Sequence, residues 1–193
     1  MRFGALCLVA FAVLPSLSRA QVPVFAISQE GSSVQFSVKT SVALEGKFDK
    51  WEATITFPST DVTKGVTDIK IQAGSVNTGS GTKDGKLRSK DFFNAKDDPY
   101  ITFHSDKIVQ TGPNTLDIPG TFTIRGVSKP ETLTFVMTGK GTGEGSVTGT
   151  MAFDRKEFGM NSGIPFIKIA DRVEVTVNLQ AKRVSGPPLT FKE

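Results

Sequence analysis

The chain has 193 residues, enough for one domain that encloses a substantial core. Its 23 basic and 19 acidic residues give a net charge of +4 without any run of five basic residues, so a nucleic-acid surface or strong attraction to an anionic membrane is not indicated. The aromatic set is 15 Phe against one Trp and one Tyr, and Phe fills apolar space without a polar group to offer.

The first twenty residues have the pattern of a secretory signal peptide. Arg2 supplies a positive start, residues 3–14 form an apolar run, and Ser18-Arg19-Ala20 places small side chains at a cleavage site before Gln21. The alternative, a transmembrane anchor, is disfavoured because the run is too short to cross about 30 Å of hydrocarbon. We therefore predict a signal peptide over 1–20 and a mature domain over 21–183.

Cysteine usage indicates the compartment. The only cysteine, Cys7, lies within the signal segment, so the mature chain has no disulfide, thiol nucleophile or thiolate metal site. An exported protein of this size without disulfides is more typical of bacteria than of eukaryotic secretion. We expect a periplasmic or secreted bacterial protein.

Alternation of apolar and polar residues with a period of two dominates the mature chain and predicts half-buried strands. The eight alternating segments are, in chain order, 34–38, 53–57, 69–73, 101–105, 116–124, 133–137, 147–153 and 173–181. Phe48 and Trp51 have opposite parity, and a bulge at Asp49-Lys50 would place both on the core face.

Short, turn-rich connections between these segments indicate antiparallel neighbours. Eight such strands can close into a barrel, whose interior is filled by side chains or holds one small ligand, and closure also removes exposed strand edges. The all-β prediction is therefore an eight-stranded antiparallel barrel, with a two-sheet sandwich as the main alternative.

Three segments depart from the strand pattern. Residues 80–98 combine charged and aromatic residues at helical spacing, which predicts a short helix in the 82–93 segment followed by a plug of Phe92 and Phe93, either a permanent lid or a gate. Residues 156–171 form an apolar loop that needs a packing partner: the barrel end, a ligand or another subunit. The C-terminal segment 184–193 is typical of a flexible tail.

Residues able to carry chemistry are sparse. The single histidine, His104, falls on the outward face of its strand, and no usual ligand set for zinc or copper accompanies it. No nucleophile elbow, phosphate loop or carboxylate pair stands out. We predict a protein that is not an enzyme and has no cofactor.

Two arginines follow alternating strands. Arg155 continues the inward parity of Met151 and Phe153, and because a buried charge must be paired, an ion pair with Asp171 is the favoured interpretation. A contact to a ligand head group is the alternative. Arg125 points outward by parity and is expected at a turn or on the surface.

Four blocks in order, spanning about 27–183, resemble the YceI-like, lipid- or polyisoprenoid-binding family. These blocks are Val34, Phe36, Val38, Gly46, Phe48 and Trp51; then Asp84, Leu87, Ser89, Asp91-Phe92-Phe93, Pro99, Ile101, Phe103 and Ser105; then Gly120, Thr123, Arg125-Gly126-Val127, Lys129-Pro130 and Leu133; then Arg155, Phe158-Gly159-Met160, Asp171, Val173, Val175 and Val177. Many members carry histidines where this chain has Thr40 and Lys86, so a head-group role for those histidines does not carry over.

The resemblance implies a lipocalin-like barrel with an apolar channel for isoprenoids, isoprenoid quinones or similar amphiphiles. Members are periplasmic or secreted, and dimers are common, so a homodimer is an expected assembly. The residues expected to line the ligand site are Phe36, Val38, Trp51, Ile55, Phe57, Ile69, Ile71, Leu87, Phe92, Phe93, Phe103, Phe122, Ile124, Phe135, Met137, Phe153, Arg155, Phe158 and Val175.

Three functions are compatible with these features. The first is non-catalytic binding of a long apolar amphiphile, as an envelope carrier or store. The second is a quinone-linked redox accessory or enzyme that uses a polar group at the barrel mouth, with Arg155 the candidate. The third is an interaction protein whose apolar loop over 158–167 docks on a partner.

Overall fold

The computed structural model describes residues 21–40, 44–163 and 169–192. The predicted signal peptide lies outside this range, as do Ile164, Phe166 and Ile167 of the apolar loop. No helix in the described part of the chain is long and apolar enough to cross a membrane.

The described chain forms eleven strands and one α-helix. The strands are β1 (Val24–Thr40), β2 (Leu44–Phe48), β3 (Trp51–Thr56), β4 (Val66–Gln72), β5 (Val76–Asn77), β6 (Tyr100–Ser105), β7 (Val109–Gln110), β8 (Thr115–Ile124), β9 (Val127–Met137), β10 (Glu144–Asp154) and β11 (Ile169–Ser185). The helix α1 spans Gly81–Arg88, and short 3-10 turns lie at Val62–Lys64, Ala73–Ser75 and Arg155–Phe158.

All strands belong to one antiparallel sheet with the order β3-β4-β6-β8-β9-β10-β11-β1-β2-β5, and β7 adds to β8. The sheet curls until β3 returns to β1. There the Phe25 and Phe57 rings lie 5.8 Å apart, and Gln29 Nε2 donates a hydrogen bond to the Trp51 carbonyl at 3.3 Å. No backbone ladder joins β1 to β3 among the described residues. The single curled sheet confirms the predicted antiparallel, lipocalin-type barrel and excludes the sandwich.

The strand number of eight was too low. Each of the eight alternating segments corresponds to one strand, although 53–57 and 69–73 run one residue past the ends of β3 and β4. The three additional strands β2, β5 and β7 have five, two and two residues. Strands this short contain too few alternations to reveal a period of two.

The first strand is longer than predicted. Its core-facing residues change from odd to even numbers midway, so the alternation pattern identified only its second half. The pairing of β1 with β11 shifts register between Ser28 and Ser33, where Gly31 has a φ of +76°. Phe25 and Ile27 before the shift, and Val34 and Phe36 after it, all pack on the core although their numbers differ in parity. A bulge of this kind turns the strand and breaks the sequence pattern.

The region around Asp49-Lys50 also differs from the prediction. The chain ends β2 at Phe48 and begins β3 at Trp51, and these strands pair with different neighbours, so the feature is a corner and not a bulge within one strand. Both Phe48 and Trp51 are buried, as the parity argument required.

The helix lies over one end of the barrel and is held there by its polar residues. Asp84 is buried and accepts hydrogen bonds from the Thr78 amide and hydroxyl at 2.8 and 2.7 Å. Arg88 Nη2 donates to the Val76 carbonyl at 3.0 Å. The helix ends at Arg88, and a turn places the Phe93 amide 2.9 Å from the Leu87 carbonyl. This end of the barrel carries the candidate site.

The middle of the barrel is filled with side chains. Phe135, Ile118, Leu133 and Leu179 are at most 2% exposed. The Phe135 ring lies so close to Gly149 that a Cβ there would come within 2.5 Å of it. A continuous tunnel therefore does not run through the barrel.

Candidate ligand-binding site

A cavity lies between α1, the first two strands and the inner face of β8, β10 and β11. Its empty space is about 650 Å³ when the part open to solvent is included, but only about 60 Å³ can hold the centre of a water molecule. Since one water needs about 10–15 Å³ by the second measure, the cavity is a narrow slot. A bulky occupant would have to displace side chains.

Many of the predicted ligand residues surround this slot. They are Phe36, Val38, Ile71, Leu87, Phe92, Phe93, Phe122, Ile124, Phe153, Arg155 and Val175. The slot contains side chains from α1 and the following turn as well as from strands, so the Phe92-Phe93 plug forms part of its wall.

The other predicted residues lie elsewhere. Trp51, Phe57, Ile69, Phe103, Phe135 and Phe158 are buried in the core, Ile55 is half-buried, and Met137 lines a second cavity. Inward parity identifies a side chain that faces the interior, but it does not tell whether that part of the interior is filled or open.

Several lining residues are additional to the sequence prediction. They are Val34, Gln35, Leu44, Phe48, Ile101, Met160, Ile169 and Val173. The inward parity of Val34, Ile101 and Val173 could have identified them, whereas Leu44, Met160 and Ile169 lie at strand ends or in loops where no period exists.

Two groups of phenylalanines contribute to the wall of the slot. Phe36, Phe48 and Phe93 have ring centroids 5.6–6.1 Å apart. Phe122 and Phe153 lie 5.3 Å apart and both contact Phe158, which fills the space behind them. Tilted and edge-to-face contacts at these distances stabilise aromatic clusters beyond their buried area.

Arg155 is the one charged side chain on the wall within the described residues, and its hydrogen-bond donors are largely occupied. Nε donates to the Ala170 carbonyl at 3.2 Å, and Nη1 donates to the carbonyls of Met160 and, at 3.1 Å, Ser162. Nη2 donates to Asp171 Oδ1 at 3.2 Å. The guanidinium therefore holds the 160–162 turn and the start of β11 together.

Asp171 completes this network at the edge of the slot. Its Oδ2 lies 2.8 Å from Lys156 Nζ, and the hydrogen bond from Lys156, aided by the charges of Lys156 and Arg155, holds the pKa of Asp171 below its usual value. The carboxylate is therefore ionised at neutral pH and balances the buried guanidinium. This geometry matches the structural ion pair favoured by the sequence.

Arg125 ties two segments that border the slot. It occupies a two-residue turn between β8 and β9 with Gly126, and both have positive φ, 54° and 71°. Its Nη2 donates to the Lys90 carbonyl at 2.8 Å, and Nη1 donates to the Gly159 carbonyl. The turn following α1 and the 3-10 turn after β10 are thus held by one side chain.

His104 lies outside the slot. Its ring is exposed, and Nδ1 is 2.7 Å from Asp68 Oδ1 on the neighbouring strand. No group of three or more potential metal-ligating His, Cys, Asp or Glu residues occurs in the described ranges.

The curled antiparallel sheet and the apolar slot define this chain as a barrel of the lipocalin type. Residues 25–181 match the model of the YceI-like domain, and the chain belongs to that family. Among curated proteins, it is 28% identical over 155 residues to a UPF0312 protein of Shewanella denitrificans, covering 77% of this chain and 81% of that protein. It is 33% identical over 98 residues to a UPF0312 protein of Pseudomonas aeruginosa, about half of each chain.

Solved structures share the fold. Burkholderia cenocepacia BcnA is 25% identical, has a TM-score of 0.72, and covers 80% of this chain and 99% of its own. A Campylobacter jejuni YCEI protein is 27% identical with a TM-score of 0.60, covering 72% and 85%. A polyisoprenoid binding domain from Saccharophagus degradans has a TM-score of 0.65 at 16% identity, covering 83% and 99%, and shows likeness of fold alone.

Proposed function

We propose that this protein binds a long neutral amphiphile, such as a polyisoprenoid or an isoprenoid quinone, without catalysis. The observation that carries the proposal is the slot itself: its lining residues are apolar apart from Gln35 and Arg155, and the donors of Arg155 already hold protein carbonyls and Asp171. Such a wall recognises hydrocarbon and leaves little to offer an anionic head group.

The energetics suit a chain that enters lengthwise. Each buried CH₂ contributes about 0.8 kcal/mol, so a few isoprene units supply micromolar affinity without polar contacts, once the cost of association is subtracted. A slender chain also needs the least displacement of the phenylalanine walls. The slot therefore favours flexible prenyl chains over rigid polycyclic ligands.

The comparisons and the sequence support the same proposal. The structurally similar domain from Saccharophagus degradans is described as polyisoprenoid binding. The signal-peptide pattern of residues 1–20 suits a carrier or store in the bacterial envelope, where long-chain lipids need protection from water. We propose that the protein is periplasmic or secreted.

Native mass spectrometry followed by organic extraction tests the proposal on protein purified from the cell envelope. We expect a co-purified prenyl lipid. Delipidated protein should then bind geranylgeraniol, and geranylgeranyl phosphate should bind no more tightly. Protein that binds neither prenyl compound, or that binds the phosphate at least about tenfold more tightly than the alcohol, would contradict a slot for neutral chains.

A further inference from the structure

A second cavity lies at the opposite end of the barrel from α1. It has about 560 Å³ of empty space when the part open to solvent is included, of which about 100 Å³ can hold the centre of a water molecule. Its apolar side chains are Phe25, Met137, Val147, Ala181, Pro188, Leu189 and Phe191, and the glycine-rich hairpin over 139–145 covers it.

The C-terminal segment builds one side of this cavity. Thr190 donates its amide to the Thr60 carbonyl at 2.7 Å, and the Lys192 backbone exchanges two hydrogen bonds of 2.8 Å with the Gln110 side chain. Leu189 and Phe191, on either side of Thr190 in sequence, pack against the core. The match to the YceI-like domain ends at residue 181, so this side of the cavity lies beyond the family match.

The two cavities are separate. Along β11, Val175 lines the first cavity and Ala181 the second, while Val177 and Leu179 between them are at most 2% exposed. Along β10, Phe153 and Val147 line the first and second cavities, and Phe135 lies over Gly149 between them. A ligand in one cavity therefore does not extend into the other.

The polar groups of the second cavity differ from those of the first. Arg183 lines it, and among the described residues its guanidinium donates only to the Gly186 carbonyl, through Nη1. Lys140 lies on the same rim, 4.4 Å from the centre of the Phe191 ring. Glu144, also on the rim, is paired with Lys182. Arg183 therefore has donor capacity and positive charge that an anion can use.

We infer that this cavity is a second binding site, for an anionic amphiphile with a single short alkyl chain, such as a fatty-acid carboxylate. The chain packs between Phe25, Met137 and Leu189, and the carboxylate lies at Arg183 beneath the hairpin. Gly139, Gly141 and Gly143 all have positive φ, a backbone that accommodates close approach of a head group.

The three methionines of the mature chain offer a site-resolved test. Met137 lines the second cavity, Met160 lines the first, and Met151 is buried in the core. Protein labelled with ¹³C at the methionine methyl groups is titrated with sodium dodecanoate below its micelle-forming concentration. We expect a saturable shift of the Met137 signal, with Met151 and Met160 unchanged, and weaker binding of dodecyltrimethylammonium.

Variants of two arginines on the same strand distinguish recognition of the carboxylate charge from nonspecific hydrophobic binding of the alkyl chain. Arg183→Gln should weaken dodecanoate binding at least about tenfold, Arg183→Lys should retain most of it, and Arg172→Gln, at an exposed ion pair with Glu174, should leave it unchanged. Unshifted Met151 and Met160 signals verify that each variant is folded. A Met137 signal that does not respond, an Arg183→Gln variant that binds normally, or a Met160 signal that shifts with Met137 would overturn the inference.

Discussion

At the residue scale, Arg155 is a buried charge whose hydrogen bonds are made largely within the protein. It is 6% exposed and donates to three backbone carbonyls and one carboxylate. These bonds fix the turn after Phe158 and the start of β11, two segments that border the slot. We therefore propose that Arg155 influences ligand binding through the segments of the wall that it holds in place.

Replacing Arg155 tests this structural role. Arg155→Gln leaves carbonyls and Asp171 without their partner, and we expect a loss of about 3 kcal/mol in the free energy of unfolding, measured in urea. Arg172→Gln, an exposed control, should stay within about 0.5 kcal/mol of the parent protein. If Arg155→Gln kept full stability and lost only ligand binding or a quinone-linked turnover, the head-group or redox interpretation would replace the structural one.

Asp171 gives the network a pH dependence. Its pKa is lowered in the folded protein, chiefly by the hydrogen bond from Lys156, so its stabilising contribution is present above the unfolded pKa of about 3.9 and is lost as the pH falls through the folded value. We expect Asp171→Asn to lower the urea midpoint at pH 7, and we expect the difference from the parent protein to shrink as the pH is lowered from 7 into the acid range. A difference that stays constant over that range would show that the carboxylate charge is not the cause.

At the element scale, the width of the slot depends on how closely β2 approaches β1. Gly46 on β2 pairs with Phe36 on β1, and a Cβ at Gly46 would come within 2.7 Å of the Phe36 ring. The ring must then shift within the slot that it lines. The absence of a side chain at Gly46 on β2 therefore allows the Phe36 ring of β1 to keep its position in the wall of the slot.

Gly46→Ala is the corresponding variant. We expect geranylgeraniol binding to weaken by about three- to tenfold as Phe36 is displaced, with a stability cost of about 1–2 kcal/mol from overpacking. Gly74→Ala is the matched control, because no heavy atom lies within 4 Å of a Cβ at that position. Isothermal titration calorimetry and urea unfolding measure the two effects, and equal prenol affinity in both variants would contradict this account of the slot.

The C-terminal segment is bonded to the end of the barrel, although its sequence predicts a flexible tail. The Thr190 amide donates a hydrogen bond to the Thr60 carbonyl, and the Lys192 amide donates one to the Gln110 side chain. We expect hydrogen exchange at these two amides to be slower than in an unstructured peptide. Exchange at the unprotected rate would support the flexible tail and remove one side of the second cavity.

At the scale of the whole molecule, stability must come from the sheet and its core, because residues 21–193 contain no cysteine. We expect the urea midpoint of the mature protein to be the same with and without a reducing agent.

We also expect protein recovered from the envelope to begin at Gln21, as read by intact mass. Recovery only as the full-length chain in the membrane fraction would favour the transmembrane-anchor alternative for residues 1–20.

Oligomeric state belongs to this scale as well. The homodimer is a prediction from the family resemblance, and Phe166 of the apolar loop, outside the described residues, is the position that tests it. If that loop docks on a second copy, Phe166→Ser should convert a dimer to a monomer in light scattering. An unchanged mass would indicate that the loop has another role.

Much of the fold was predictable because alternation is a local property of the chain. Long strands such as β8 and β11 can be predicted from the sequence, since each places apolar residues on one face over many positions. The bulge in β1 and the two-residue strands were not predictable in this way. Their geometry depends on which strand lies next to them, and that information is not local.

The same distinction between local and non-local information applies to the candidate site. The sequence by itself indicated many of the side chains that face the barrel interior and favoured an ion pair between Arg155 and Asp171 at its edge. Only the tertiary structure decided which part of the interior is open, since Phe135 fills the middle by lying over Gly149 from the neighbouring strand. The physical reason is packing: parity sets the direction of a side chain, but the space it occupies depends on the size of residues brought to it from distant parts of the chain.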